Sequence, residues 1–75
     1  MSDWKYNYNR RQWERSDRDW HAVVVRASLK DAWHTFIEHT SRAERHNGPD
    51  FEWPRDGRRW CEAEIARLTA LAGST

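Results

Sequence analysis

SLKDAWHTFIEHTSRAERH, residues 28 to 46, is the stretch on which the fold turns. Leu29, Ala32, Trp33, Phe36, Ile37, Thr40 and Ala43 recur at steps of three and four. At about 100° per residue they share one sector of a helix. Ser28 is placed to accept from the free N–H groups of a first turn, and Asp31 to return a bond to the Ser28 N–H. Asn47-Gly48-Pro49 supplies the stop, with Gly as a left-handed cap and Pro unable to continue. The spacing predicts an amphipathic helix over about 29–46, with Asp31, Glu38, Arg42 and Arg45 on its solvated side.

A second stripe follows. In RRWCEAEIARLTALA, residues 58–72, the side chains of Trp60, Cys61, Ile65, Leu68, Leu71 and Ala72 share one side, and Gly73 is a natural end. The connector NGPDFEWPRDG, residues 47–57, is rich in turn residues, and Phe51 and Trp53 are expected to pack down over the helix junction. Its length permits an antiparallel pair and is far longer than the turn of a helix-turn-helix.

Upstream, WHAVVVRA, residues 20–27, reads two ways. Ser16 followed by Asp19 offers a capping box for a short helix, whereas three consecutive valines favour a strand. In residues 1–19, Trp4, Tyr6 and Tyr8 alternate with polar residues, as in a short strand or an extended arm. The fold expected is mainly α: an antiparallel pair of amphipathic helices, about 29–46 and 58–72, beside an N-terminal short helix or extended aromatic arm covering residues 1–15. An α+β arrangement with a strand at 20–26 is the alternative. All 75 residues are read as one small helical domain.

Composition limits the function classes. With 37% apolar and 33% charged residues, the chain has a thin core of its own and gains from a partner. The net charge of +1 is not that of a non-specific nucleic-acid coat. Cys61 is the single cysteine, which excludes an internal disulfide and points to an intracellular, cytoplasmic setting. No apolar run is long enough for a membrane span, so no membrane contact is expected.

No catalytic or metal-binding pattern emerges. His39 and His46, seven apart on a helix, would lie two turns from one another, and His34 points elsewhere. His21 has no metal-ligand spacing to them either. Cys61 is read as a small buried hydrophobe. The carboxylates form no pair in a cleft. No enzyme, cofactor or metal site is expected.

The anomaly is six tryptophans among many arginines. Trp33 and Trp60 are assigned to the core. Trp and Arg are the residues most enriched at binding hot spots. Trp4, Tyr6, Tyr8 and Trp13 are therefore expected as aromatic anchors, with Arg10, Arg11 and Arg15 orienting a partner. The function expected is an adaptor, inhibitor or accessory subunit that binds another protein or a second copy of itself. A dimeric nucleic-acid-binding regulator using Arg10, Arg11, Arg58 and Arg59 is the alternative, because each arginine pair precedes a tryptophan and can stack on bases.

Overall fold

The segment expected as the central helix is instead a strand and its flanking loops, and that change reorganises the whole chain. The computed structural model describes residues 4–27, 29 and 31–73. In chain order these form β1 (Lys5–Asn7), β2 (Gln12–Asp17), β3 (Trp20–Arg26), β4 (Trp33–His39), β5 (Arg45–Asn47) and α1 (Pro54–Gly73). The strands make one antiparallel sheet in the order β1-β2-β3-β4-β5, and α1 packs against β3 and β4 on one face.

The mainly α expectation is thus overturned, and the chain is not a small helical domain. Of the two expected helices only the C-terminal one forms, extended back to Pro54, where a missing N–H is harmless. Residues 29–46 contribute β4, its preceding turn, the β4–β5 loop and the first two residues of β5. The expected cap at Ser28 lies outside the described residues, and Asp31 pairs with Arg26 at 3.0 Å. The short helix at 20–27 gives way to β3, as its valines favour. The aromatic arm is a hairpin of β1 and β2.

The physical reason is the pairing of β4 with β3. Ala22 faces Ile37 and Val24 faces Thr35 across the ladder. Side chains alternate along a strand, so Trp33, Thr35, Ile37 and His39 turn toward α1 while His34, Phe36 and Glu38 turn away. Helical spacing had grouped Trp33, Phe36 and Ile37. Pairing removes Phe36 from that group and supplies β3 with partners on both sides.

The core lies between sheet and helix. Trp4, Trp20, Ala22, Val24, Ile37, Cys61 and Ile65 are buried there, with Trp13, Trp33, Trp60 and Leu68 packed around them. Aromatic bulk therefore replaces the scarce Leu and Val. Trp53 is the exception, 56% exposed rather than folded down. Phe51 does anchor the connector, exchanging backbone hydrogen bonds with Trp33. Buried Thr35 donates its hydroxyl to the Pro49 carbonyl at 3.0 Å.

The opposite sheet face carries mixed charge. Val23 is buried there between Glu14 and Phe36 of the adjacent strands, and the Arg45 guanidinium lies 3.8 Å over the Phe36 ring. Both edge strands, β1 and β5, are only 3 residues long, which limits the open ladder they present.

Gly57 sets the helix-to-sheet distance. A Cβ on it would overlap the Thr35 methyl and stand 3.1 Å from a Val24 methyl. Helix propensity favours alanine over glycine by about 1 kcal/mol, but overpacking costs about 1–3 kcal/mol. Gly57→Ala is expected to lower the stability measured by urea unfolding. Gly73→Ala, where a Cβ meets nothing within 4 Å, is the control and should leave stability unchanged or slightly raised.

Candidate binding site at the uncovered end of the sheet

α1 packs over β3 and β4 and does not cover the whole sheet. At one end the β1–β2 loop meets the β3–β4 turn. An open hollow of about 850 Å³ there is lined by Tyr6, Arg10, Arg11, Arg26, Leu29 and Trp33. Leu29 is 95% exposed at its rim.

The β1–β2 loop is built to hold this shape. The Asn7 side-chain oxygen accepts from the backbone N–H of Asn9 at 3.0 Å and of Arg10 at 3.1 Å. Arg11 closes the loop at φ 54°. That left-handed conformation costs a non-glycine residue on the order of 1 kcal/mol. Glycine or asparagine would suit the backbone better, but only arginine brings a guanidinium to the hollow.

Charge is distributed unevenly. Arg15, Arg42, Arg45 and Arg67 each have a carboxylate partner, at 2.7, 2.7, 3.4 and 2.5 Å respectively. Arg26, in the hollow, is held by the exposed Asp31. Among the described residues Arg10, Arg11, Arg18, Arg55, Arg58 and Arg59 have no carboxylate in ion-pair range. Arg10 and Arg11 line the large hollow. Arg55 and Arg58 line a smaller one of about 270 Å³ with Trp53 and Pro54.

An aromatic stack joins the two hollows. Tyr8 meets Tyr6 edge to face at 4.9 Å, Tyr6 meets Trp13 at 5.2 Å, and the Arg58 guanidinium stands 4.6 Å over Trp13. Tyr8 is 83% exposed. Aromatic and guanidinium faces thus form one electropositive band at this end of the molecule.

The seven residues expected at a partner surface divide in two. Tyr6, Tyr8, Arg10, Arg11 and Trp13 come together in this band. Trp4 and Arg15 do not. Trp4 is 9% exposed, in the core, and its indole N–H donates to Glu62 at 3.4 Å. Arg15 donates to the same carboxylate oxygen at 2.7 Å and reaches Asp17 at 3.6 Å. Glu62 thereby ties the N-terminal hairpin to α1. Of the arginines assigned to nucleic acid, Arg58 joins the band, whereas Arg59 is exposed about 100° further round the helix. Arg26, Leu29 and Trp33 also line the site, although the sequence pattern places Leu29 and Trp33 on an apolar stripe and Trp33 in the core, which Trp33 does flank. The available signal was Arg26, a charge closing a run of valines at a strand end.

The remaining reactive groups have other surroundings. Cys61 is fully buried and its thiol points to the Phe36 carbonyl at 3.9 Å. Burial pushes its pKa up to about 12, and the charge of Glu62 adds to this. His39 and His46 are not separated by helical turns. They meet the same Trp20 ring, at 5.0 and 5.5 Å. His46 also contacts Glu44 at 2.6 Å, and that hydrogen bond, with help from Arg42, holds the Glu44 carboxyl below its usual range. Among the described residues no three His, Cys, Asp or Glu side chains are grouped to hold a metal ion. Among the described residues no helix is long and apolar enough to cross a membrane.

Three outcomes are expected from these placements. Trp4→Ala is expected to cost about 3–5 kcal/mol of stability in chemical denaturation, as for other buried aromatics. The Cys61 thiol should resist alkylation at pH 8 until the protein unfolds. Because its folded pKa is raised, its contribution is complete below its ordinary value of 9.0 and is lost as pH climbs toward about 12. Urea midpoints measured across that range should fall more steeply for the natural protein than for Cys61→Ala.

No family model matches the chain, and no curated protein or solved structure matches it, so its role has to be read from its own side chains.

Proposed function

We propose that the protein is a small interaction module that captures an acidic segment of another protein at the arginine-lined end of its sheet. One observation carries this: Arg10, Arg11 and Arg26 line a single hollow with Tyr6 and Trp33, and two of those guanidinium groups lack a carboxylate among the described residues. A guanidinium matches a carboxylate through two parallel hydrogen bonds. Tyr, Trp and Arg are the side chains that most often dominate binding energy. The exposed Leu29 and Tyr8 offer apolar contact at the rim.

The role is binding rather than catalysis. Nucleic acid is disfavoured because the chain's net charge is only +1. Asp31, also in the hollow, is taken up by Arg26, which leaves Arg10 and Arg11 to meet the carboxylates of a peptide. We set the protein in the cytoplasm on the strength of its lone, unpaired Cys61.

Fluorescence anisotropy tests this with a labelled Glu- and Asp-rich peptide containing one aromatic residue. A neutral peptide and short single- and double-stranded oligonucleotides serve as competitors. The double variant Arg10→Ser, Arg11→Gly keeps a backbone that accepts φ 54°. It should weaken peptide binding by about tenfold or more without lowering the melting temperature. Unchanged binding by the variant would refute the site. Preferential, steeply salt-dependent binding of an oligonucleotide would instead make this a nucleic-acid-binding regulator.

A further inference from the structure

The opposite end of the sheet holds a second hollow with different chemistry. It measures about 390 Å³ and lies between the start of β3 and the last turns of α1. Its floor is the Trp20 indole, 5% exposed and flanked by His39 and His46. Leu68 and Leu71 form an apolar wall, with Leu71 58% exposed. Arg18 and Arg42 form the cationic rim, the latter 6.0 Å from the Trp20 ring centre.

Arg18 repeats the anomaly of Arg11. It is the first residue of a two-residue hairpin loop and sits at φ 56°. It too has no carboxylate in ion-pair range among the described residues. Arg42 is shared with Glu44 at 2.7 Å. His39 Nδ1 accepts from the Ser41 backbone N–H at 3.1 Å, so the neutral ring carries its proton on Nε2 and keeps a donor there. Arg18 and Arg42, opposed by the one carboxylate of exposed Asp19, stand with an imidazole donor and an exposed apolar wall around a buried indole, so the rim keeps a positive balance.

From this arrangement we propose that the hollow is a binding site for a small amphipathic carboxylate, a monoanion with an apolar tail. The tail lies on Trp20 between Leu68 and Leu71, and the carboxylate meets Arg18. The volume is in the range of small-molecule sites, about 300–1,000 Å³. The site is separate from the proposed peptide-binding end and does not depend on it. The carbonyls at the end of α1 repel an anion, and α1 has no basic residue in its last turn. Arg18 and Arg42 supply the positive charge that offsets this.

Octanoate, octan-1-ol and acetate separate the contributions of tail and head group, read by NMR shifts at the Leu68 and Leu71 methyls and the Arg18 amide. Octanoate should move these signals and bind at least about tenfold more tightly than either of the others. Arg18→Gly, whose backbone accepts φ 56°, should weaken octanoate about tenfold while leaving the melting temperature unchanged or higher. Leu71→Gln should also weaken it. Equal binding of octanoate and octan-1-ol would overturn the proposal, as would an Arg18→Gly protein that binds octanoate normally. If octanoate shifts nothing and Arg18→Gly lowers the melting temperature, Arg18 serves only to complement the helix end.

Discussion

The near contact of Gly57 with Thr35 and Val24 fixes where the helix rests, and most of the molecule follows from it. With no side chain at that position, α1 comes down close to β3 and β4. Cys61 and Ile65, one and two turns further on, then reach the sheet, and Glu62 meets Arg15 and Trp4. A helix seated over β3 and β4 leaves the end at the β1–β2 loop open and brings its own last turns beside Trp20 at the other end. The two hollows are therefore a geometric result of that seating, and what distinguishes them is the side chains each end presents.

Arginine and tryptophan each do two opposite jobs here. Trp4 and Arg15 converge on Glu62 and brace the fold. Trp13 instead supports Arg58, which has no carboxylate in ion-pair range among the described residues, and Tyr6 and Tyr8 extend that support outward. A domain of this size has few apolar side chains to spend on a core, so large rings fill it. Their flat faces also reach the ends of the sheet, where they remain available as floors for ligands. The core and the binding surfaces are thus made from one set of residue types.

The helix α1 was legible because its apolar positions all face one way and Gly73 closes it. β4 was not, because tertiary pairing overrode the local pattern. Its inward positions include Thr35 and His39, which are polar, and its outward positions include Phe36, which is apolar. The period of two is therefore invisible to a hydropathy reading, whereas the helical period appears by chance. The hairpins were hidden for a related reason. The residues at positive φ are Arg11 and Arg18, where Gly or Asn would have marked a turn. The β2–β3 loop, Arg18-Asp19, resembles any polar pair. The aromatic and arginine residues of the first fifteen positions did mark the hollow, but Trp4 and Arg15 could not be separated from the others without knowing that Glu62 lies opposite. Arg26 and Trp33 enter the site only through the register of β3 with β4.

Strand order that follows chain order also shapes how the molecule comes together. Each hairpin closes between neighbours in sequence, so the sheet can zip up through short loops with little loop-closure entropy at each step. Trp20, Ala22, Val24 and Ile37 then lie on a sheet that α1 does not yet cover, because α1 follows all five strands in chain order. Docking of that helix is the step that removes them from water, and a chain arrested before it carries an adhesive face. Aggregation on the way to the native state is accordingly governed by how quickly residues 54–73 arrive.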